Sequence, residues 1–584
     1  MPNALLVYPE FPPSYWGMKY ALEFIGKSSS MPPLGLLTVA AMFPDNYTLR
    51  VVDLNTDQMT DADLDWADVV FTSTMIVQEG SLEQVIARCN SRKVPVVAGG
   101  PHPTTFFQEI DGVDHFVLGE VENVFPQFIR DYDNGTAARM YSSSEKPDVT
   151  QTPLPRYDLI DLRKYGSMAL QFSRGCPFDC EFCDITKLFG RVARTKTTEQ
   201  LLKEFDLLYS LGWRGALFLV DDNFIGNKKA AMELLPSVAK WQRERGYPFS
   251  LFTEASVNLA RMDALMDAMV DAGFNMTFLG IESPNPAALV KTKKKQNTSN
   301  GKEDFLMQAV KTIQRKGIEV MGGFILGLDG DREDVFDAQI NFIQQAGIPF
   351  AMVGLLTAIK GTDLYTRLER EGRLLTESPG DSVNFSLNLV PEMDREVLLE
   401  GYKRVLRTIY DPSLKNYFER CLTMLSDLKI AEHSVRRIGT AEVSAFFKSM
   451  YRQMFSRQGP AYMKFLARVM KDYPKMLPEA VRLAIVGHHL AKVTSQQIAI
   501  HEFKDFVSEE LEALKTRLAS WRELPGHGIT EAHAYAQELI AGARSRYTRI
   551  HADFRHHAED TLESFQQAVT CCFEDFRETI SSQS

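Results

Sequence analysis

Over the first ~140 residues short apolar runs alternate with longer amphipathic stretches, the periodicity of strands alternating with helices. The runs are Ala4 to Tyr8, Leu49 to Asp53, Val69 to Ser73, Val94 to Ala98 and His115 to Leu118, each closed by polar or glycine-rich residues. This alternation predicts a parallel sheet covered by helices. Ligands of such sheets bind beyond the carboxyl ends of the strands, so the terminal loops should form one site. They are Asp53-Leu54-Asn55, Ser73 through Gln78, Gly99-Gly100-Pro101-His102 and Gly119-Glu120. A polar stretch from Ser142 to Pro155 then reads as an extended linker. A second alternation follows at Met168 to Phe172, Ala216 to Val220, Ser250 to Thr253, Met276 to Gly280, Glu319 to Leu326 and Met352 to Thr357. Six such repeats suit a partial barrel.

Beyond about residue 390 helical periodicity takes over. Val507, Leu511, Leu514, Leu518 and Trp521 recur at steps of four and three, as do Tyr547, Ile550, Phe554, Ala558, Leu562, Phe565 and Val569. Leu524 to Gly528 breaks the pattern between them, with Thr530 as the expected cap of the next helix. The result is a helical hairpin or coiled-coil-like tail, which either packs on the main body or self-associates into an oligomer. The expected plan is a Rossmann-like domain at 1–140, a linker at 141–160, a partial barrel at 161–390, a helical domain at 391–504 and the tail at 505–584.

Composition narrows the function classes. With 584 residues, 45% hydrophobic and 24% charged, the chain has the ordinary balance of a folded globular protein. A net charge of -11 argues against a general nucleic-acid binder, which needs a broad basic surface. Met1-Pro2-Asn3 leads into Ala4 to Tyr8 without the basic and apolar regions of a secretion signal, and no apolar run is long enough to span a bilayer. The seven cysteines form no disulfide-like framework, so the expected compartment is the cytoplasm.

The chemistry is concentrated in Ser173-Arg174-Gly175-Cys176-Pro177-Phe178-Asp179-Cys180-Glu181-Phe182-Cys183, which follows the first strand of the expected barrel. Three thiolates at these intervals can hold three irons of a four-iron cluster, and with no fourth cysteine nearby one iron stays open. A structural zinc site needs a fourth ligand and a redox disulfide only two cysteines. Unrelated core thiols have no reason to crowd one turn. Carboxylates stand at the next strand ends: Asp221 and Asp222 after the second, Glu254 after the third and Glu282 after the fourth. On one rim they can accept hydrogen bonds from an ammonium or from ribose hydroxyls; otherwise they are solvated or salt-bridged loop acids.

With its Cys176-x3-Cys180-x2-Cys183 spacing and Phe182 before the third cysteine, the chain resembles the radical S-adenosylmethionine (SAM) enzymes. The resemblance implies a 4Fe-4S cluster on Cys176, Cys180 and Cys183, SAM at the open iron, and an external electron donor. It also implies a deoxyadenosyl radical that removes hydrogen from an unactivated carbon. Phe182 would then lie near the adenine, Asp221 and Asp222 at the methionyl amine, and Glu254 and Glu282 at the amine or ribose. Gly323, in Gly323-Phe324-Ile325-Leu326-Gly327, would let the adenine approach or would serve sheet packing.

The N-terminal alternation resembles the cobalamin-binding domain that precedes the barrel in one large class of these enzymes. That makes the expected architecture α/β: a Rossmann-like cobalamin-binding-type domain, a partial (β/α)6 radical SAM barrel and an all-helical C-terminal region. Ser73, Thr74 and Met75 would underlie the corrin, and Gly99, Gly100, Pro101, Gly119 and Glu120 would surround the nucleotide tail. The usual Asp-x-His-x-x-Gly motif is missing, since no histidine follows Asp53 in its loop, so cobalamin is expected base-off with no histidine ligand. His102 reads as a hydrogen-bonding residue of a glycine-rich turn. A nucleotide-binding or purely structural α/β domain is the alternative, although the Gly-x-Gly-x-x-Gly fingerprint is absent.

Within this class the chain is similar to the hopanoid methylase group. The similarity runs from Pro32-Pro33-Leu34-Gly35-Leu36-Leu37 through the cysteine loop and Val220 to Ala230, and on to Gly487-His488-His489-Leu490. It covers roughly the first 500 residues and leaves the tail as an addition. Adjacent His488 and His489 cannot share one helical face and read as packing residues. Lys360 stands where proline is common in related radical enzymes.

The function implied is cobalamin-dependent radical methylation of an unactivated carbon in a small molecule, with a polycyclic or isoprenoid lipid as the substrate class. Ring closure or oxidative rearrangement without methyl transfer is one alternative; a cobalamin or iron-sulfur sensor is another. One local clue concerns lipid. Between Phe446 and Leu490 the basic residues Lys448, Arg452, Arg457, Lys464, Arg468, Lys471, Lys475 and Arg482 outnumber Asp472 and Glu479, and aromatic residues are interleaved with them. Such helices either rest on an anionic membrane or cover the barrel.

Overall fold

The protein is described from a computed structural model at residues 1–298, 304–378, 380, 385–429, 431, 439–523 and 528–583. It divides into two compact units, Met1–Leu490 and Ala491–Ser584.

The first unit opens with β1 (Asn3–Tyr8), β2 (Thr48–Asp53), β3 (Val69–Ser73), β4 (Val96–Gly99), β5 (His115–Val117) and β6 (Met140–Tyr141). They form one sheet in the order β2-β1-β3-β4-β5-β6, every neighbour parallel. β1 is buried from Ala4 to Val7 because helices cover both faces: Leu36, Phe125 and Phe128 pack on one side, and Leu82, Val85 and Ile86 on the other. The strand order turns back at β1, which opens a crevice at the carboxyl ends of β1 and β3. The first five strands lie within two residues of their expected limits. β6, only two residues long, has no apolar run to announce it.

The second sheet contains β7 (Ser167–Leu170), β10 (Gly215–Leu219), β11 (Phe249–Ala255), β12 (Phe274–Glu282), β13 (Glu319–Leu326) and β14 (Ala351–Leu355), all parallel and in chain order. β8 (Ser173–Arg174) and β9 (Arg194–Thr195) form a small antiparallel clip at the base of the cysteine loop. Six strands in this order make the expected partial barrel. Its convex face is packed by helices, as where Phe324 meets Phe342 of the helix Asp334–Ala346 at 6.1 Å. On the opposite face Phe218 stacks on Phe252 at 4.6 Å, and Met276, Phe278, Met321 and Met352 continue the apolar surface. Trp16, from the segment after β1, lies on Phe278 at 5.1 Å and Phe350 at 5.9 Å.

Helices dominate the rest of the first unit, among them Arg395–Ile409, Lys415–Asp427, Thr440–Met454 and Gly459–Asp472. His488 packs edge-on against Phe24 and contacts Gln458 at 3.2 Å, while buried His489 contacts the Tyr15 carbonyl at 3.2 Å. Both are packing residues, as their adjacency predicts.

The second unit holds the end of the long helix Leu477–Glu523, then Ile529–Arg549 and His556–Gln583. The predicted break falls partly at 524–527, outside the described residues. Two expectations are corrected. Gly528, not Thr530, precedes the next helix, and Glu531 reaches back to the Gly528 N–H at 3.2 Å. The single helix read through Tyr547, Ile550 and Phe554 is broken at 550–555, where Ile550 and Phe554 occupy a buried turn. Burial, not helix continuity, keeps those positions apolar. Among the described residues no helix is long and apolar enough to cross a membrane.

Candidate active site

The cysteine loop is built from its anchors outward. β7 ends at Leu170, and Asp221, immediately after β10, draws in the next turn. Its carboxylate accepts from the Phe172 N–H at 2.8 Å, the Ser173 N–H at 2.8 Å and the Ser173 hydroxyl at 2.6 Å. Asp222 accepts from the Gly175 N–H at 2.7 Å. Gly175 has φ +96°, and a Cβ there would lie 2.7 Å from the Val192 carbonyl, so only glycine fits this turn. Two adjacent aspartates therefore fix the approach to Cys176. Asp221 was expected at the amine of SAM; it is instead buried and spends both oxygens on the loop.

Donors gather around the sulfurs. Asn223 Nδ2 lies 3.8 Å from Cys176 Sγ, and Gln296 Nε2 lies 3.4 Å from Cys180 Sγ. Lys294 is buried beside Cys180 and Cys183, pairs with Glu282 at 2.6 Å and stands 5.7 Å from the centre of the Phe182 ring. Glu282, expected at the amine or ribose, pairs here with Lys294 beside the cysteine loop. Burial raises the Cys176 thiol and pushes Cys183 up to about 12, against which the nearby N–H groups work. Among the described residues no three such side chains converge on a single metal ion. Thiolates that each take a different iron need not converge in that way. Three free thiols in one turn with amide and ammonium donors aimed at them fit a cluster.

Asp222 and Glu254 complete the rim. Burial, aided by repulsion from Asp222 and Asp221, raises Glu254 to about 8. Burial raises Asp222 to about 6, opposed by the Gly175 N–H. Two carboxyls disfavoured as anions would gain from a cationic ligand, and SAM carries an ammonium and a sulfonium. Gly323 faces the Phe278 ring, which a Cβ would approach to 3.0 Å, so its missing side chain makes room for that aromatic. The contact accounts for the glycine by sheet packing.

At the crevice of the first sheet, Ser73-Thr74-Met75 faces the Gly99-Gly100-Pro101 turn. The Thr74 N–H donates to the Gly99 carbonyl at 3.1 Å, and the His102 N–H donates to the Thr74 carbonyl at 3.0 Å. Gly100 has φ +95° and would bring a Cβ within 2.7 Å of Thr74 N, whereas a Cβ on Gly119 would meet nothing within 4 Å. The Thr72 and Thr74 hydroxyls are buried without a hydrogen-bond partner. Met75, 49% exposed, lies at the open side. A side-chain-poor floor with two unsatisfied hydroxyls fits a flat ligand that carries amides. His102 is buried, packs on Phe106 at 5.5 Å and belongs to the helix layer.

Glu120, expected beside the nucleotide tail, is engaged within the protein. It accepts from Arg174 at 3.0 Å and from Arg194 at 3.0 and 2.8 Å. Arg174 also pairs with Glu122 at 2.7 Å. Lys360 makes a second link, pairing with Glu109 at 2.5 Å. The first sheet is thus tied to the clip that carries the cysteines. Lys294 and Gln296 have no sequence signal; Asn223 directly follows the paired aspartates.

Residues 28–129 match the B12 binding domain, 170–343 the Radical SAM superfamily and 362–502 a domain of unknown function (DUF4070). Fold and site therefore define an enzyme with a cobalamin domain ahead of a radical SAM barrel. An uncharacterized methyltransferase of Synechocystis sp. is 44% identical over 70% of this chain and 76% of its own length. The hopanoid C-2 methylase of Rhodopseudomonas palustris is 34% identical over 74% of this chain and 83% of its own. The chain belongs to the cobalamin-dependent radical SAM methyltransferase family that includes the hopanoid methylases. The radical SAM methyltransferase TsrM of Kitasatospora setae shares the fold, with a TM-score of 0.53 at 16% identity over 74% of this chain and 97% of that one.

Proposed function

We propose that the chain methylates an unactivated carbon of a small, largely apolar molecule, a polycyclic or isoprenoid lipid. The carrying observation is the apolar inner face of the barrel sheet, where Phe218, Phe252, Met276, Phe278, Met321 and Met352 stand beside Glu254 and Trp16 lies on Phe278. Such a surface suits a hydrocarbon framework and offers few polar groups to a hydrophilic one. The hopanoid methylase relative supports the same class.

In this reading Cys176, Cys180 and Cys183 hold the 4Fe-4S cluster, and Asp222 and Glu254 receive the cationic end of SAM. Ser73, Thr74, Met75, Gly99, Gly100, Pro101 and Gly119 would cradle cobalamin, and the loop after Asp53 offers it no histidine. When bound, the cluster supplies an electron for SAM cleavage and cobalamin supplies the methyl group. Asn223, Gln296 and Lys294 stabilise the thiolates by donation, while Glu282 keeps Lys294 charged and in place. Phe252 and Phe278 exclude water from the reacting carbon. An external reductant would be required, and an oxygen-sensitive cluster would suit a reducing cytoplasm.

The test uses anaerobically reconstituted protein, methyl-labelled SAM, reductant and polycyclic or isoprenoid lipids. Deoxyadenosine together with labelled lipid is expected, and Cys176→Ala should lower bound iron and abolish both. Deoxyadenosine without carbon gain refutes methyl transfer; labelling confined to polar acceptors refutes the lipid assignment.

A further inference from the structure

The helix Thr440–Met454 faces the wrong way for a helix that merely covers a core. The fully buried positions of its inward side are small or polar, Ala445, Ser449 and Gln453, flanked by half-buried Phe446, Met450 and Met454. They are held by specific bonds, Ser449 Oγ to the Tyr462 hydroxyl at 3.0 Å and Gln453 Nε2 to Ser449 Oγ at 3.0 Å. The outward stripe, at steps of four, is Val443, Phe447 and Tyr451, and Phe455 extends it past the helix end. These residues are 45%, 65%, 75% and 76% exposed. Met463 and Met470, on the helix Gly459–Asp472, are 40% and 53% exposed. Isolated exposed apolar residues are ordinary, but a row of large aromatics with polar residues buried behind it marks an interaction surface.

Charge identifies the occupant. From Val443 to Lys475 there are seven basic residues against one acid, Asp472, in a chain whose net charge is -11. Arg452 is engaged with Glu23 at 2.7 Å and Arg468 with Asp472 at 3.6 Å. Lys448, Arg457, Lys464, Lys471 and Lys475 are exposed and have no acidic partner among the described residues. Two copies of this surface would repel one another, and a neutral apolar groove would leave the cations without counterions. Aromatic rings interleaved with unpaired lysines and arginines match the headgroup layer of an anionic bilayer, where rings enter the interface and cations meet lipid phosphates. We propose that Thr440–Lys475 is a peripheral docking surface for an anionic lipid membrane. This holds whatever molecule the active site methylates.

Sedimentation of the full chain with phosphatidylethanolamine–phosphatidylglycerol vesicles tests it. The protein should pellet with them, bind pure phosphatidylcholine vesicles about tenfold less well, and release progressively as salt is raised. The Phe447→Ser, Tyr451→Ser, Phe455→Ser triple variant should keep its melting temperature and cofactor content, because these side chains are exposed, and lose vesicle binding about tenfold or more. Wild-type protein that stays in the supernatant overturns the proposal. So does a triple variant that binds equally well, or one whose only change is dissociation of an oligomer in gel filtration. A variant that melts early calls for Lys464→Gln, Lys471→Gln, which touches no packed group and must weaken binding to anionic vesicles alone.

Discussion

Removing the charge of Glu120 should loosen the cysteine clip without touching a cysteine. Its side chain is 4% exposed, and Arg174 and Arg194 on either side are only 13% and 17% exposed. Glu120→Gln keeps the size and leaves Arg194 without a carboxylate among the described residues. Breaking one partner of a buried pair costs about 3–5 kcal/mol; residual solvent access at both guanidiniums brings this to about 2–3 kcal/mol. That corresponds to an opening equilibrium about 30- to 150-fold larger. Hydrogen exchange followed by mass spectrometry reads it directly. Peptides over 172–196 should exchange faster by about that factor, while the distant helix Arg395–Ile409 keeps its protection. Adding Arg194→Met removes the stranded cation and should return most of the loss. If Glu120→Gln leaves exchange of the clip unchanged and lowers only cobalamin affinity, the carboxylate belongs to the nucleotide tail and the docking argument fails.

Glu254 gives a pH dependence. Its folded value of about 8 exceeds the ordinary 4.5, so the native state binds the proton more tightly than the unfolded chain. The contribution to stability is therefore full below about pH 4.5 and is lost as pH rises through about 8. Glu254→Gln should flatten the fall in melting temperature of iron-free protein across that window; an unchanged slope counts against a buried, proton-binding Glu254. For the pair Lys294–Glu282, with side chains 11% and 9% exposed, Glu282→Gln should destabilise by about 3 kcal/mol in urea. A second change, Lys294→Met, should recover most of that loss, and simple additivity of the two would refute the pairing.

What could be read from the chain and what could not divide along a physical line. All strands of the two sheets but β6 were legible because residues such as Leu5, Val7, Leu217 and Leu251 sit in runs whose apolar character follows from burial alone. The cysteine loop was legible because its chemistry lies between sequence neighbours. Carboxylates were harder. Asp221, Asp222, Glu120, Glu254 and Glu282 all end strands or begin loops, and a strand-end position marks an acid as available without naming its partner. The partners come from far along the chain: Gln296 reaches Cys180 across 116 residues and Arg194 reaches Glu120 across 74. In a buried site the partner decides the role, since an acid already satisfied by backbone N–H groups or a guanidinium has little left for a ligand. Asp221 is engaged by the Phe172 and Ser173 N–H groups, Glu120 by Arg174 and Arg194, and Glu282 by Lys294, which leaves Asp222 and Glu254 as the rim acids that the proposed function assigns to the cationic end of SAM. The helix Thr440–Met454 follows the same logic in reverse. Its aromatic and basic composition was plain, but only the bonds of Ser449 and Gln453 show that the aromatics face outward.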